Sequence, residues 1–171
     1  MNKKLYTRLY RDNPADFKNP IYVGGYYEKK GGMPAKRIRL YGVLLCGAAA
    51  CLLLLAGSYV SVPGKALYAA LPYVAAYLPA IMGLFACLQA PSDDGRIRED
   101  TYYHSMERTQ MWGALGLLFS AASLAGGILA CILKKQFGGA EILYLLAMAG
   151  CAACFTVLRI LRKKQIYTLE K

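Results

Sequence analysis

The chain keeps its apolar and charged positions in separate blocks instead of alternating them. Leu40 to Gly64 is a run of twenty-five uncharged residues between Arg39 and Lys65. At about 1.5 Å per residue, a helix of that length exceeds a hydrocarbon core of roughly 30 Å. Only a helix satisfies the backbone of an isolated segment in lipid. Ala66 to Ser92, Thr109 to Leu133 and the shorter Ile142 to Leu158 have the same character. The pattern predicts an all-α bundle of four membrane-spanning helices at 40–62, 66–90, 109–133 and 141–160. These make one membrane domain over 40–161, preceded by a Tyr-rich basic tail (1–39), divided by a middle loop (91–108) and followed by a short C-terminal end (162–171).

Composition agrees: 57% of the 171 residues are hydrophobic and the mean hydropathy is +0.31. The tail, loop and end are each too small for a sizeable core of their own. The first apolar run begins after residue 39 and is longer than a signal-peptide core, so it is expected to stay in the mature protein. All six cysteines fall inside predicted spans, which excludes a secreted disulfide framework.

Charge sets an orientation. Of the 21 Lys and Arg, ten precede the first span, three lie in the middle loop and five lie from Arg159 onward, leaving one and two in the remaining turns. The positive-inside rule puts tail, loop and end in the cytoplasm, giving a multi-pass, N-in/C-in protein of the cell membrane. Lys36, Arg37 and Arg39 before the first span, and Arg159, Arg162, Lys163 and Lys164 after the fourth, read as membrane-surface anchors. Their counter-charge is anionic lipid headgroups, so the net charge of +11 calls for no nucleic acid.

Several local features carry expectations. Lys3 to Arg11 has the spacing of a short amphipathic helix ended by Asp12-Asn13-Pro14, the alternative being a solvated basic tail. Ile21-Tyr22-Val23 and Tyr26-Tyr27 flank Gly24-Gly25 as a two-residue β-hairpin would, and such a hairpin needs support from the middle loop or a partner. In the loop, Asp93 or Asp94 is placed to cap a helix running through Arg98, Asp100, His104 and Arg108 into the third span, with Asp100 facing His104 across a turn. The final IYTLEK reads as a free end.

In the third span, Gly113, Gly116, Ser120, Ser123 and Gly127 recur at steps of three and four, a helix-packing seam of small residues. Matching small positions occur in the first span at Gly42, Cys46, Ala49 and Ala50, and in the fourth at Ala147, Cys151 and Cys154. The seam joins helices within one chain or two copies of it. The second span carries Pro72 and Pro79, with Tyr73 and Tyr77 one turn apart. These tyrosines either line a path or bond to neighbouring carbonyls.

Candidate chemistry is sparse. Apart from Arg159 at the inner end of the fourth, the spans lack Asp, Lys, Arg, His and Asn, and their one carboxylate, Glu141, sits at an outer edge. The chain resembles small multidrug-type exporters in having four short spans, but those need an embedded Glu in the first span, where this chain has none. Haem ligation within the membrane would need histidines in the spans, and the single His104 lies in the loop as a surface imidazole. Cys151-Ala-Ala-Cys154 resembles the motif of membrane thiol oxidoreductases. Those proteins keep further cysteines in outer loops, which here hold none, so the pair reads as small packing residues. No catalytic residue, metal site or cofactor is expected, and the chain reads as a non-enzyme. It is then an accessory or regulatory component of a membrane complex, partnered by the bilayer and a membrane protein. The alternative is a homo-oligomeric channel or transporter with the second span lining the path.

Overall fold

The computed structural model describes residues 9–11, 21–58, 66–91, 95–134 and 138–170. Helix α1 (Ala35–Ser58) begins where the Pro34 carbonyl accepts the N–H groups of Arg37 and Ile38 at 3.0 and 3.1 Å. It therefore starts five residues before the apolar run, and its first turn carries the Lys36-Arg37-Arg39 cluster. Helix α2 (Leu67–Leu88) passes through Pro72 and Pro79 without interruption. The short helix α3 (Glu99–Tyr102) runs into a π-helical stretch (Tyr103–Glu107) and then into α4 (Arg108–Lys134). Helix α5 (Gly139–Lys163) opens with the Glu141 carboxylate accepting the Gly138 N–H at 3.1 Å, so the one acidic residue of the spans serves as a helix cap.

Four helices are thus long and apolar enough to cross a membrane. Their packing has the polarity expected in lipid. Leu44, Leu54, Leu71, Val74, Leu118 and Leu146 point outward, while Ala, Gly, Ser and Cys fill much of the interior. Aliphatic side chains gain nothing by burial when the solvent is itself hydrocarbon, whereas small residues allow close backbone contact. The bundle is a ring: α1 packs on α2 and α5, and α4 packs on the same two from the other side. The core between them holds Cys46, Ala49 and Leu53 of α1, Ala76 and Ala80 of α2, and Tyr144, Met148, Cys151 and Phe155 of α5.

The ring order corrects the expected match between the small residues of the first and third spans. Helices α1 and α4 sit diagonally, and the α4 seam instead takes up aromatic rings of α5. A Cβ on Gly116 would lie 2.5 Å from the Phe155 ring, one on Gly127 2.9 Å from Tyr144, and one on Gly113 3.2 Å from the stem of Arg159. Ser120 bonds back to the Gly116 carbonyl at 2.7 Å. Ser123 ties three helices together, meeting the Tyr144 hydroxyl at 2.6 Å and donating to the Ala69 carbonyl at 3.2 Å. The seam is occupied within the chain.

Three segments distant in sequence meet at one end of the bundle. Strands β1 (Tyr10–Arg11) and β2 (Ile21–Tyr22) pair antiparallel. Strand β3 (Tyr26–Gly31) is the centre of a second antiparallel sheet, flanked by β4 (Ile97–Arg98) of the middle loop and β5 (Ile166–Glu170) of the C-terminal end. Two expectations are corrected here. The strands around Gly24-Gly25 form no hairpin with each other, because β2 finds β1 while β3 finds two other partners. IYTLEK is not free, since its first five residues are β5. Leu9 is helical and buried, but Tyr10 and Arg11 are strand, not helix; residues 3–8 of that expected helix, Asp93 and Asp94, and the turns at 63–65 and 135–137 lie outside the described residues. Gly32, at φ +103°, turns the chain from β3 towards α1 against the Gln165 side chain, a conformation that suits glycine.

Candidate functional site: a tyrosine cap over a buried arginine

The cap is built from the aromatic residues of the tail and loop. The Arg98 guanidinium stacks over the Tyr22 ring at 4.2 Å and donates to the Tyr10 hydroxyl at 2.9 Å. Tyr10 in turn donates to Asp100 at 2.5 Å, and Arg98 approaches the same carboxylate at 3.6 Å. Asp100 therefore serves the tail, not His104 as expected. The Tyr22 hydroxyl donates to the Gly25 carbonyl at 2.7 Å and accepts the Glu99 N–H at 2.9 Å, which pins the first residue of α3 to the crossing between the two sheets. Tyr27 stacks on Tyr102 with ring centroids 4.0 Å apart.

These contacts hold the phenols neutral. The hydrogen bond to Asp100, aided by burial, raises the Tyr10 hydroxyl above its ordinary value of 10.0. Burial raises Tyr22. Burial, together with a hydrogen bond to Tyr103, pushes Tyr27 up to about 12.

Under the cap, the π-helical stretch turns Ser105 and Met106 into the bundle while His104 faces a cleft towards α2. Ser105 and Thr109 donate to carbonyls one turn back, at 2.7 and 2.5 Å, and both are fully buried. The cleft, about 500 Å³, has His104, Arg108 and Gln89 as polar lining and Met82, Phe85 and Trp112 as apolar walls. His104 is thus half-buried at a helix–helix junction and is not a plain surface imidazole. A smaller cleft of about 260 Å³ between α4 and α5 is lined by Arg159 and Lys163 together with Glu107.

The anchors divide in two. Lys36, Arg37, Lys163 and Lys164 are exposed, with Arg39 and Arg159 half-buried. Arg162, expected beside them at the surface, is only 2% exposed. It lies on the face of α5 that carries Cys151, Phe155 and Leu158, and so points inward with the core. Its guanidinium donates to the Met106 thioether at 2.7 Å and to the Cys87 sulfur at 3.7 Å, and its Nε is buried with no hydrogen-bond partner. Above it, the Gln165 Oε1 and Thr168 Oγ1 atoms are likewise buried without a partner.

The two sulfur-bearing helices interlock. In α1, Gly42 and Cys46 are one turn apart; in α2, Gly83 and Cys87 repeat that spacing. The Cys87 sulfur seats against Gly42, 2.7 Å from where a Cβ would stand, and the Cys46 sulfur seats against Gly83 at 3.2 Å. Each sulfur thus packs on the other helix across the α1–α2 contact. The same Gly-x-x-x-Cys spacing occurs at Gly47/Cys51, Gly127/Cys131 and Gly150/Cys154, so the sequence does not single out this pair and only the packing of α1 on α2 brings it together. Cys151 lies in the central core, Cys154 packs against it, and all six thiols are free.

Tyr73 and Tyr77 sit on the α1 side of α2. Tyr73 donates to the Leu53 carbonyl at 2.9 Å and meets the Tyr77 hydroxyl at 2.7 Å, with its ring tilted against Tyr144 at 6.3 Å. Among the described residues, no three His, Cys, Asp or Glu side chains group as they would to hold a metal ion. Comparison of the chain with family models, with curated proteins and with solved structures finds no match.

Proposed function

We propose that the protein is a non-catalytic accessory or regulatory component of a membrane complex, set in the cell membrane with its cap in the cytoplasm, where it meets its partner. The observation that carries this reading is the sheet β4–β3–β5, which draws tail, middle loop and C-terminal end into one body at the bundle end where the chain's cations gather. Ordering separate segments has an entropic cost that a tail without a task need not meet. The positive-inside rule supports the cytoplasmic side. Strand β5 lies at the sheet edge, a ready template for a partner's strand, and the exposed Arg98 face adds cation–π and ion-pair contacts.

The test is extraction from the native membrane in a mild, lipid-preserving detergent. A second polypeptide is expected to co-purify, to be lost on deletion of residues 1–30, and to be retained in Tyr73→Phe/Tyr77→Phe. Recovery of a pure homo-oligomer from every preparation would overturn the reading.

A further inference from the structure

The geometry points to a binding site for a soft monovalent metal ion, Cu(I) or its stable analogue Ag(I), held by the sulfurs of Cys46 and Cys87 beside Arg162. Among the described residues no carboxylate lies against Arg162, and a buried guanidinium so placed is costly, because removing a cation from water carries a large penalty unless an anion repays it. Among the described residues, the Arg162 guanidinium has two sulfur partners and an unsatisfied Nε. The site therefore calls for one negative charge.

Two thiols and a monovalent soft cation supply it. Each thiol loses its proton to solvent, two sulfur–metal bonds form, and the metal keeps its oxidation state. The resulting bis-thiolate complex carries a single negative charge, which neutralises Arg162. A divalent ion between the same two thiolates would be neutral and would leave the arginine unpaired. Thiolate and thioether donors select Cu(I) by softness, and the Met106 thioether accepts from the same guanidinium at 2.7 Å. The reciprocal seating of each sulfur on the other helix's glycine brings the pair together across two rigid elements, as a preorganised site requires. This inference stands apart from the proposed partner and does not depend on it.

The experiment is anaerobic titration of the detergent-purified full chain with Ag(I) or with Cu(I) against a competing chelator, followed by X-ray absorption at the metal edge. One tightly held ion per chain in a two-sulfur shell is expected, with Zn(II) failing to compete. Cys46→Ser and Cys87→Ser are each expected to weaken binding by at least a hundredfold, Arg162→Met by a smaller factor, and Cys151→Ala/Cys154→Ala not at all. Where a serine variant does not fold, the wild-type absorption spectrum decides, since it needs no variant. No retained ion, a shell of nitrogen or oxygen, or binding that follows Cys151 and Cys154 would overturn the inference.

Discussion

At the scale of single residues, the α4 seam discriminates between glycines that look alike in the sequence. Gly116 faces the Phe155 ring at 2.5 Å from a notional Cβ, whereas Gly47 has nothing within 4 Å. Gly116→Ala is expected to lose about 1–3 kcal/mol by overpacking. Gly47→Ala is expected to be neutral or to gain about 0.5–1 kcal/mol from helix propensity. Thermal unfolding in detergent reads both. The cap tyrosines give a pH prediction. A phenol whose folded value lies above its unfolded one stabilises the fold fully below the ordinary value of 10 and ceases to do so as pH rises through the folded value, about 12 for Tyr27. Ultraviolet titration should show late-ionising tyrosines. The cap should loosen between pH 10 and 12, with Tyr27→Phe removing that component.

At the scale of elements, the four helices were legible because lipid imposes one rule on every residue of a span, and a run of uncharged residues obeys it visibly. The seam was legible for a similar reason, since small residues three and four apart lie on one helix face. Its partner was not. Tyr144 and Phe155 fill the glycine gaps, while the small positions of α1 answer those of α2, and complementarity of this kind is written across two helices at once. The strands around Gly24-Gly25 show the limit of local reading. Their β propensity is real, but pairing depends on which edges are within reach, and β3 takes β5 along its whole length. The inward turn of Arg162 follows from helical phase: it sits one turn past Leu158 and two past Phe155, so the core face carries it in. Charge alone had placed it outside.

At the scale of the whole molecule, the sheet puts tail, loop and end together, and the positive-inside rule predicts that this end faces the cytoplasm. A single Cys introduced at Gly95 should react with a membrane-impermeant maleimide only after cells are permeabilised, and one at Gln136 should react in intact cells. The reverse pattern would place the cap outside and leave the cytoplasmic reading without support. Deleting residues 166–171 is expected to expose β3 and make the tail sensitive to trypsin while the bundle stays folded, because the four long helices make their main contacts with one another.

The pairing of β3 with β5 also orders the making of the protein. Tyr26 pairs with Glu170, so a strand that precedes all four spans waits for one that follows them. All four spans must enter the bilayer before the pairing that closes the cap becomes available, and contacts so distant along the chain form late. A nascent chain stalled or cut anywhere before Ile166 carries a bundle whose tyrosine-rich tail still lacks its neighbour. Completion of the sheet therefore reports that all four spans have been made.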